Sequence, residues 1–176
     1  MSVTITIKTA SLLSDIRIRS HMNTQRIKDP EEQYALRIGE ENESAARQAL
    51  QEAWSDAVAL CRPFLVTTDD TSGDDLYGDI TSSDKTLTLD VTTRRTSHIA
   101  DSIPEEIHAF LANAALKRFY TSAMMPDLVS IYAAAEKVAR QEIIELLYKK
   151  MEPVYEEDPA PTPDPDPQND AQDNDE

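Results

Sequence analysis

The stretch SIPEEIHAFLANAALKRFYTSAMMPDLVSIYAAAEKVARQEIIELLYKK, residues 102–150, decides how this chain is read. Ser102, Ile103, Pro104 and Glu105 form an S-x-x-E capping box with proline in the first turn, a start that satisfies amide donors an uncapped helix leaves bare. Behind it Ile107, Phe110, Leu111, Ala114, Ala115 and Phe119 recur at three- and four-residue steps. Asn113, Lys117 and Arg118 fall mostly on the other side, so one stripe is expected to be buried. Pro126 forbids continuation, and Leu128, Ile131, Tyr132, Ala135, Val138, Ala139, Ile143, Leu146 and Leu147 mark a second helix. Lys149 and Lys150 close it with the charge that suits a helix C-terminus. The Met124-Met125-Pro126 connection is short, which predicts an antiparallel helical hairpin.

Upstream, Val3, Ile5 and Ile7 alternate with Thr4, Thr6 and Lys8, the pattern of a short strand with one apolar face. Residues 11–22 carry two patterns: Leu12, Leu13 and Ile16 fit a helix, whereas Ile16 and Ile18 alternating with Arg17 and Arg19 fit a strand. The helix is preferred, with Thr9 or Ser11 as its cap. Asp29, Pro30 and Glu32 make a D-x-x-E start for an apolar stripe that begins at Tyr34 and Ile38 and resumes from Ala46 through Trp54 to Cys61. Arg62-Pro63 ends it, and Gly39 leaves open whether residues 30–62 are one bent helix or two.

Between the helical halves, residues 67–79 are rich in threonine, aspartate and glycine and read as a loop. Leu87, Leu89 and Val91 then alternate with threonines and Asp90, and a Ser82-Ser83-Asp84-Lys85 turn precedes them. A β-hairpin pairing about 76–81 with 86–92 is expected. A lone hairpin is marginal in water, so it needs the helices, the 1–8 strand or a neighbouring subunit for support. The expected fold class is therefore mainly α: a helical bundle with a long first helix, a C-terminal helical hairpin and a small β-hairpin insertion, plus a disordered acidic tail. One domain spans 1–151, with an N-terminal strand or arm over 1–28 and a β excursion over about 64–95.

The net charge of −16 is unevenly placed. Residues 152–176 hold ten acids, no base and six prolines, leaving 23 acids against 17 bases, a net of −6, in residues 1–151. The tail is expected to be extended and solvated, serving solubility or a contact arm. The sign of the charge disfavours ordinary phosphate-backbone binding. The single Cys61 excludes an internal disulfide and a multi-cysteine zinc site, and its place on an apolar face reads as burial. No run approaches the roughly 20 apolar residues of a transmembrane helix, and the first ten residues lack the pattern of a signal peptide.

Chemical motifs are sparse. His21, His98 and His108 are far apart and outside any H-E-x-x-H pattern, and Gly39, Gly73 and Gly78 build neither a P-loop nor a dinucleotide fingerprint. Asp69, Asp70, Asp74, Asp75 and Asp79 fail the glycine position of an EF-hand and read as solvated loop acids. Glu105 and Glu106 are explained by capping and the helix dipole. Arg94-Arg95 reads as a surface pair in a structural salt bridge, with contact to phosphate or an acidic neighbour as the alternative, and Trp54 and Phe64 as core anchors. The reading is of a non-enzymatic protein with no cofactor and no resident metal.

A helix ending near Arg62-Pro63-Phe64, a threonine-rich β insertion, and Ile103-Pro104-Glu105-Glu106-Ile107 opening a helical hairpin are found here in that order. Over about residues 30–150 the chain resembles the small head–tail connector or adaptor proteins of tailed bacteriophages and prophages. The resemblance implies a virion protein assembled in the bacterial cytoplasm. It implies a homo-oligomeric ring that meets portal or tail proteins and surrounds DNA without reading its sequence. A channel wall rich in carboxylates repels phosphate and lets the duplex slide. On that reading Leu87, Leu89, Val91, Arg94 and Arg95 are the expected subunit contacts, and the apolar faces around Phe110 and Tyr132 close the bundle. Two other classes remain: an acidic regulatory or inhibitory module acting through its tail, as a DNA mimic or docking arm, and an enzyme with a carboxylate site assembled from several elements.

Overall fold

The computed structural model describes residues 2–25, 27–66, 78–90 and 97–148. Its elements in chain order are β1 (Ser2–Ile7), α1 (Thr9–Thr24), α2 (Pro30–Leu36), α3 (Glu43–Cys61), a 3₁₀ turn at Arg62–Phe64, β2 (Lys85–Asp90), α4 (Ser97–Ser122) and α5 (Pro126–Tyr148). The protein is mainly helical with a small two-stranded antiparallel sheet. The acidic segment 152–176 and residues 67–77 of the expected loop lie outside the described residues.

The centre of the molecule is α4. Every residue from Phe110 to Leu116 is buried, so this helix has no solvent face along its middle. An amphipathic stripe is not enough for such a position; a helix surrounded by other elements has to be apolar nearly all round. The run FLANAAL, residues 110–116, meets that demand, and α5, α3, α1 and β1 all pack against α4. Asn113, expected on the polar side, is therefore inside at 6% exposure. The helix also begins five residues before the expected capping box, which corrects that expectation: Ser102 and Pro104 lie within it. Proline there removes one hydrogen bond to the carbonyl four residues back, a loss that packing of the helix offsets. The pattern extends upstream in sequence to Ile99, four residues before Ile103.

Residues 30–62 form two helices. α2 is capped by Asp29, whose carboxylate accepts from Glu31 N–H at 2.9 Å, and it ends at Leu36. The break that follows is tied to α1: Ser20 Oγ accepts from Ile38 N–H (2.9 Å) and donates to Leu36 O (3.3 Å), while Asn42 Nδ2 donates to Ala35 O (2.8 Å). α3 then carries Ala46, Ala49, Leu50, Ala53, Trp54, Ala57, Val58 and Cys61 into the core as its spacing predicts.

Residues 11–22 are helical within α1, but neither Thr9 nor Ser11 caps it. The cap comes from 75 residues away: Asp84 Oδ1 accepts from Thr9 N–H at 2.9 Å. The Thr9 hydroxyl instead points at Ile80 O (2.7 Å) and Ser83 O (2.9 Å), sharing its proton between them. These bonds fasten the 79–84 turn to the start of α1, and Ile80 N–H reaches Gln51 Oε1 of α3 at 2.8 Å. The same turn explains why the expected hairpin is absent among the described residues. Asp79 accepts from both Thr81 N–H (2.8 Å) and its hydroxyl (2.7 Å), bending the chain where a first hairpin strand was expected, and Ile80 is fully buried. β2 pairs with β1 in antiparallel register, Ile5 opposite Leu87 and Thr4 opposite Thr88. Alternation puts the aliphatic side chains in the core and the threonines outside. Leu65 bridges Leu89 on the other edge of β2, and Val66 N–H donates to Thr88 O (2.9 Å).

The helical hairpin turns through a left-handed cap. Met124 has φ 57°, Met125 N–H returns to Tyr120 O (3.0 Å) and Met124 N–H to Thr121 O (3.2 Å), the bond pair of a Schellman motif. Glycine normally fills this position because a Cβ is disfavoured there, and Met124 is 87% exposed, so its side chain gives little back to the fold. Replacing Met124 by glycine is expected to raise unfolding stability by about 0.5–1 kcal/mol in urea titrations, while Met124→Ala leaves it unchanged. Removing the long-range cap with Asp84→Ala is expected to cost about 1 kcal/mol, and Asp84→Asn, which still accepts, less than half of that in the same assay.

Candidate functional site

The helix α1 meets α4 and α5 along a polar seam built by residues at three- and four-residue steps on α1: Asp15, Arg19 and Asn23. Arg19 grips Asp15 through Nε (3.1 Å) and Nη2 (2.9 Å), and its Nη1 donates to Asn113 Oδ1 (3.1 Å), which satisfies the buried amide of α4. His108 Nε2 faces the same Asp15 carboxylate at 3.4 Å. One turn further, Asn23 donates to the Tyr132 hydroxyl of α5. Tyr132 stacks on Tyr120 of α4 with ring centroids 5.7 Å apart and planes 13° from parallel. Burial pushes both phenols above their ordinary pKa. The Tyr120 hydroxyl lies near Ser20 and Asn23 without reaching hydrogen-bond geometry to either.

This cluster holds three helices together. The adjoining cleft, about 380 Å³, is bordered by Lys8, Ser11, Arg19, Glu105 and His108. A larger cleft of about 500 Å³ lies between α1 and the link from α2 to α3. In it Glu43 takes Arg17 at 2.7 Å and Arg47 at 2.6 Å, and the Arg47 hydrogen bond, foremost among these contacts, holds its carboxyl below the usual range. Between α3 and α5, Arg118 pairs with Asp56 and with Glu52 (3.4 Å), and Lys117 pairs with Glu136. These charges on α4 are spent on joining its neighbours.

The expected subunit contacts divide in two. Leu87 and Leu89 are fully buried in this chain's own core, so their side chains are not presented to a neighbour, and the far edge of β2 is met by Leu65 and Val66. Val91, Arg94 and Arg95 lie outside the described residues. Phe110 and Tyr132 do close the bundle, at 2% and 7% exposure. What the sequence reading missed is the outer surface: Ile131 and Val138 on α5, and Ile18 and Met22 on α1, are large, apolar and exposed. The signal was present in the α5 pattern, where nine apolar positions mark a helix of which only Tyr132, Ala139, Ile143 and Leu147 are buried.

Among the described residues no group of three or more His, Cys, Asp or Glu side chains is placed to hold a metal ion, and no helix is long and apolar enough to cross a membrane. Cys61 is fully buried, and desolvation pushes its thiol up to about 12. The thiolate is the reactive form, so Cys61 is expected to resist a disulfide reagent such as DTNB at pH 8 in the native state and to react stoichiometrically once the chain is unfolded in guanidinium. The chain matches no protein-family model, no curated protein and no solved structure.

Proposed function

We propose that this protein is a non-enzymatic assembly subunit of a phage or prophage particle, a head–tail connector or adaptor that forms a ring around the DNA channel. The observation that carries this reading is the one-sided burial of the last helix. α5 packs one face on α4 and leaves Ile131, Ala134 and Val138 on its outer face in solvent, where a free-standing monomer gains nothing from them. The order of elements supports the same reading: a helix ending at Arg62–Phe64, a strand, then a helical hairpin.

The chemistry of the core is in keeping with a scaffold. Cations on α1 and α4 are turned inward to acids on the same chain: Arg19 to Asp15, Lys117 to Glu136 and Arg118 to Asp56 and Glu52. A net charge of −16 repels phosphate, which in a ring keeps DNA from sticking to the wall. Native mass spectrometry of the full chain and of a version ending at Met151, alone and mixed with proteins encoded beside it, tests the reading. The expected result is a closed oligomer, or one triggered by a portal-like neighbour, that survives loss of the tail. A chain that stays monomeric with every neighbour, and binds a basic partner only through residues 152–176, overturns it in favour of a regulatory module.

A further inference from the structure

We infer that the outer edge of β1 pairs antiparallel with β1 of a second copy of the chain, joining the two-stranded sheets of both copies into one, a contact independent of the connector reading. The hydrogen bonds of the sheet show which side of β1 is open. Val66 N–H donates to Thr88 O, so Thr88 turns its backbone groups away from β1. Thr4 lies opposite Thr88 and Thr6 opposite Thr86. Residues facing each other in an antiparallel pair either exchange both their hydrogen bonds or turn both away, so Thr4 and Thr6 direct N–H and C=O away from β2. Both residues are exposed, and no backbone group among the described residues meets them on that side.

A row of unpaired amides and carbonyls is a directional template that takes extended backbone in register. Proteins that stay single blunt such an edge with a proline, a bulge or a charge pointing inward. Ser2–Ile7, SVTITI, contains no proline and no charge, and its register against β2 runs without a bulge.

The strand is its own complement. Two antiparallel copies oppose outward groups to outward groups when Thr4 of one faces Thr6 or Thr4 of the other. In either register Ile5 stays on the aliphatic face and the threonines on the exposed face, as alternation requires. Two chains of net charge −16 meet at this strand without a charged side chain between Ser2 and Ile7. The 152–176 segment is a poor occupant by comparison, because its six prolines lack the amide donors that an edge takes. Room for the second strand is present: the cleft of about 380 Å³ opens beside Thr6, Ile7 and Lys8, against Pro104, Glu105 and Ala109 of α4. Antiparallel pairing brings the Ser2 end of the copy's strand to that cleft, and by symmetry the same happens in the other copy, so both subunits use one patch.

Sedimentation equilibrium of the full chain, with amide exchange at Thr4 and Thr6 followed by NMR over a range of concentrations, tests the pairing. The expected result is a dimer, or a larger oligomer built on it, in which both amides are protected more strongly as concentration rises. Thr4→Pro removes an outward donor, a change an edge strand tolerates. Thr4→Lys combined with Thr6→Lys leaves the backbone intact and opposes cations across the two-fold axis. Each variant is expected to weaken association about tenfold or more and to leave thermal unfolding unchanged. Association that is equally tight in both variants overturns this contact and leaves the connector reading standing. Protection of Thr4 and Thr6 that does not change with concentration puts a segment of the same chain on the edge and overturns the pairing, as does a wild-type chain that is monomeric at every concentration.

Discussion

The rest of the structure depends on the complete burial of the middle of α4. A helix with no solvent face must be covered from several directions at once, and α5, α3, α1 and β1 do so. Apolar side chains from all of these elements are removed from water in this way, and apolar burial is the largest favourable contribution to folding. It also dictates the small residues of α4: Ala112, Ala114 and Ala115 let neighbouring backbones come close, while Phe110, Leu111, Leu116, Phe119 and Tyr120 fill the spaces between them.

Apolar packing alone does not select one arrangement of covering elements, and the polar bonds do that work. Asp84 and Thr9 tie the turn before β2 to the start of α1, Ser20 ties the end of α2 to α1, and Gln51 holds Ile80 against α3. Arg19 spans Asp15 and Asn113, so the one amide buried in the central helix is satisfied only when α1 lies in its observed place. Each of these groups would be left desolvated and unpaired in a different packing, which penalises the alternatives more than it stabilises the native state. The two-stranded sheet, too small to persist alone, is held by the same logic: its inner aliphatic face is part of the helical core.

Function on this reading lies outside the core. Near the clefts Glu43 is paired with two arginines, and Asp15 with Arg19 and His108, so these charges join elements of the fold. What the fold leaves in solvent are large apolar side chains on the outward faces of α1 and α5, Ile18, Met22, Ile131 and Val138. The connector proposal assigns the α5 face to contact with another subunit, which gives it a surface on which it can fail.

The sequence by itself determined the kinds of element and most of the core. Three- and four-residue spacing placed α3, α4 and α5, Pro126 set the hairpin break, and the alternation in Val3, Ile5, Ile7, Leu87 and Leu89 identified two strands, because these periodicities follow from backbone geometry alone. Only the tertiary structure decided which strands pair, where α4 begins, and which side of each helix faces out. β2 takes β1 instead of a local hairpin partner because Asp79 and Thr9 bend and pin the intervening turn. Asn113 is inside because Arg19, 94 residues away, supplies its hydrogen bond. Ile131 and Val138 are outside because α4 offers α5 one face and no second helix of the described chain covers the other. Such outcomes depend on neighbours distant in sequence, and no local pattern carries them.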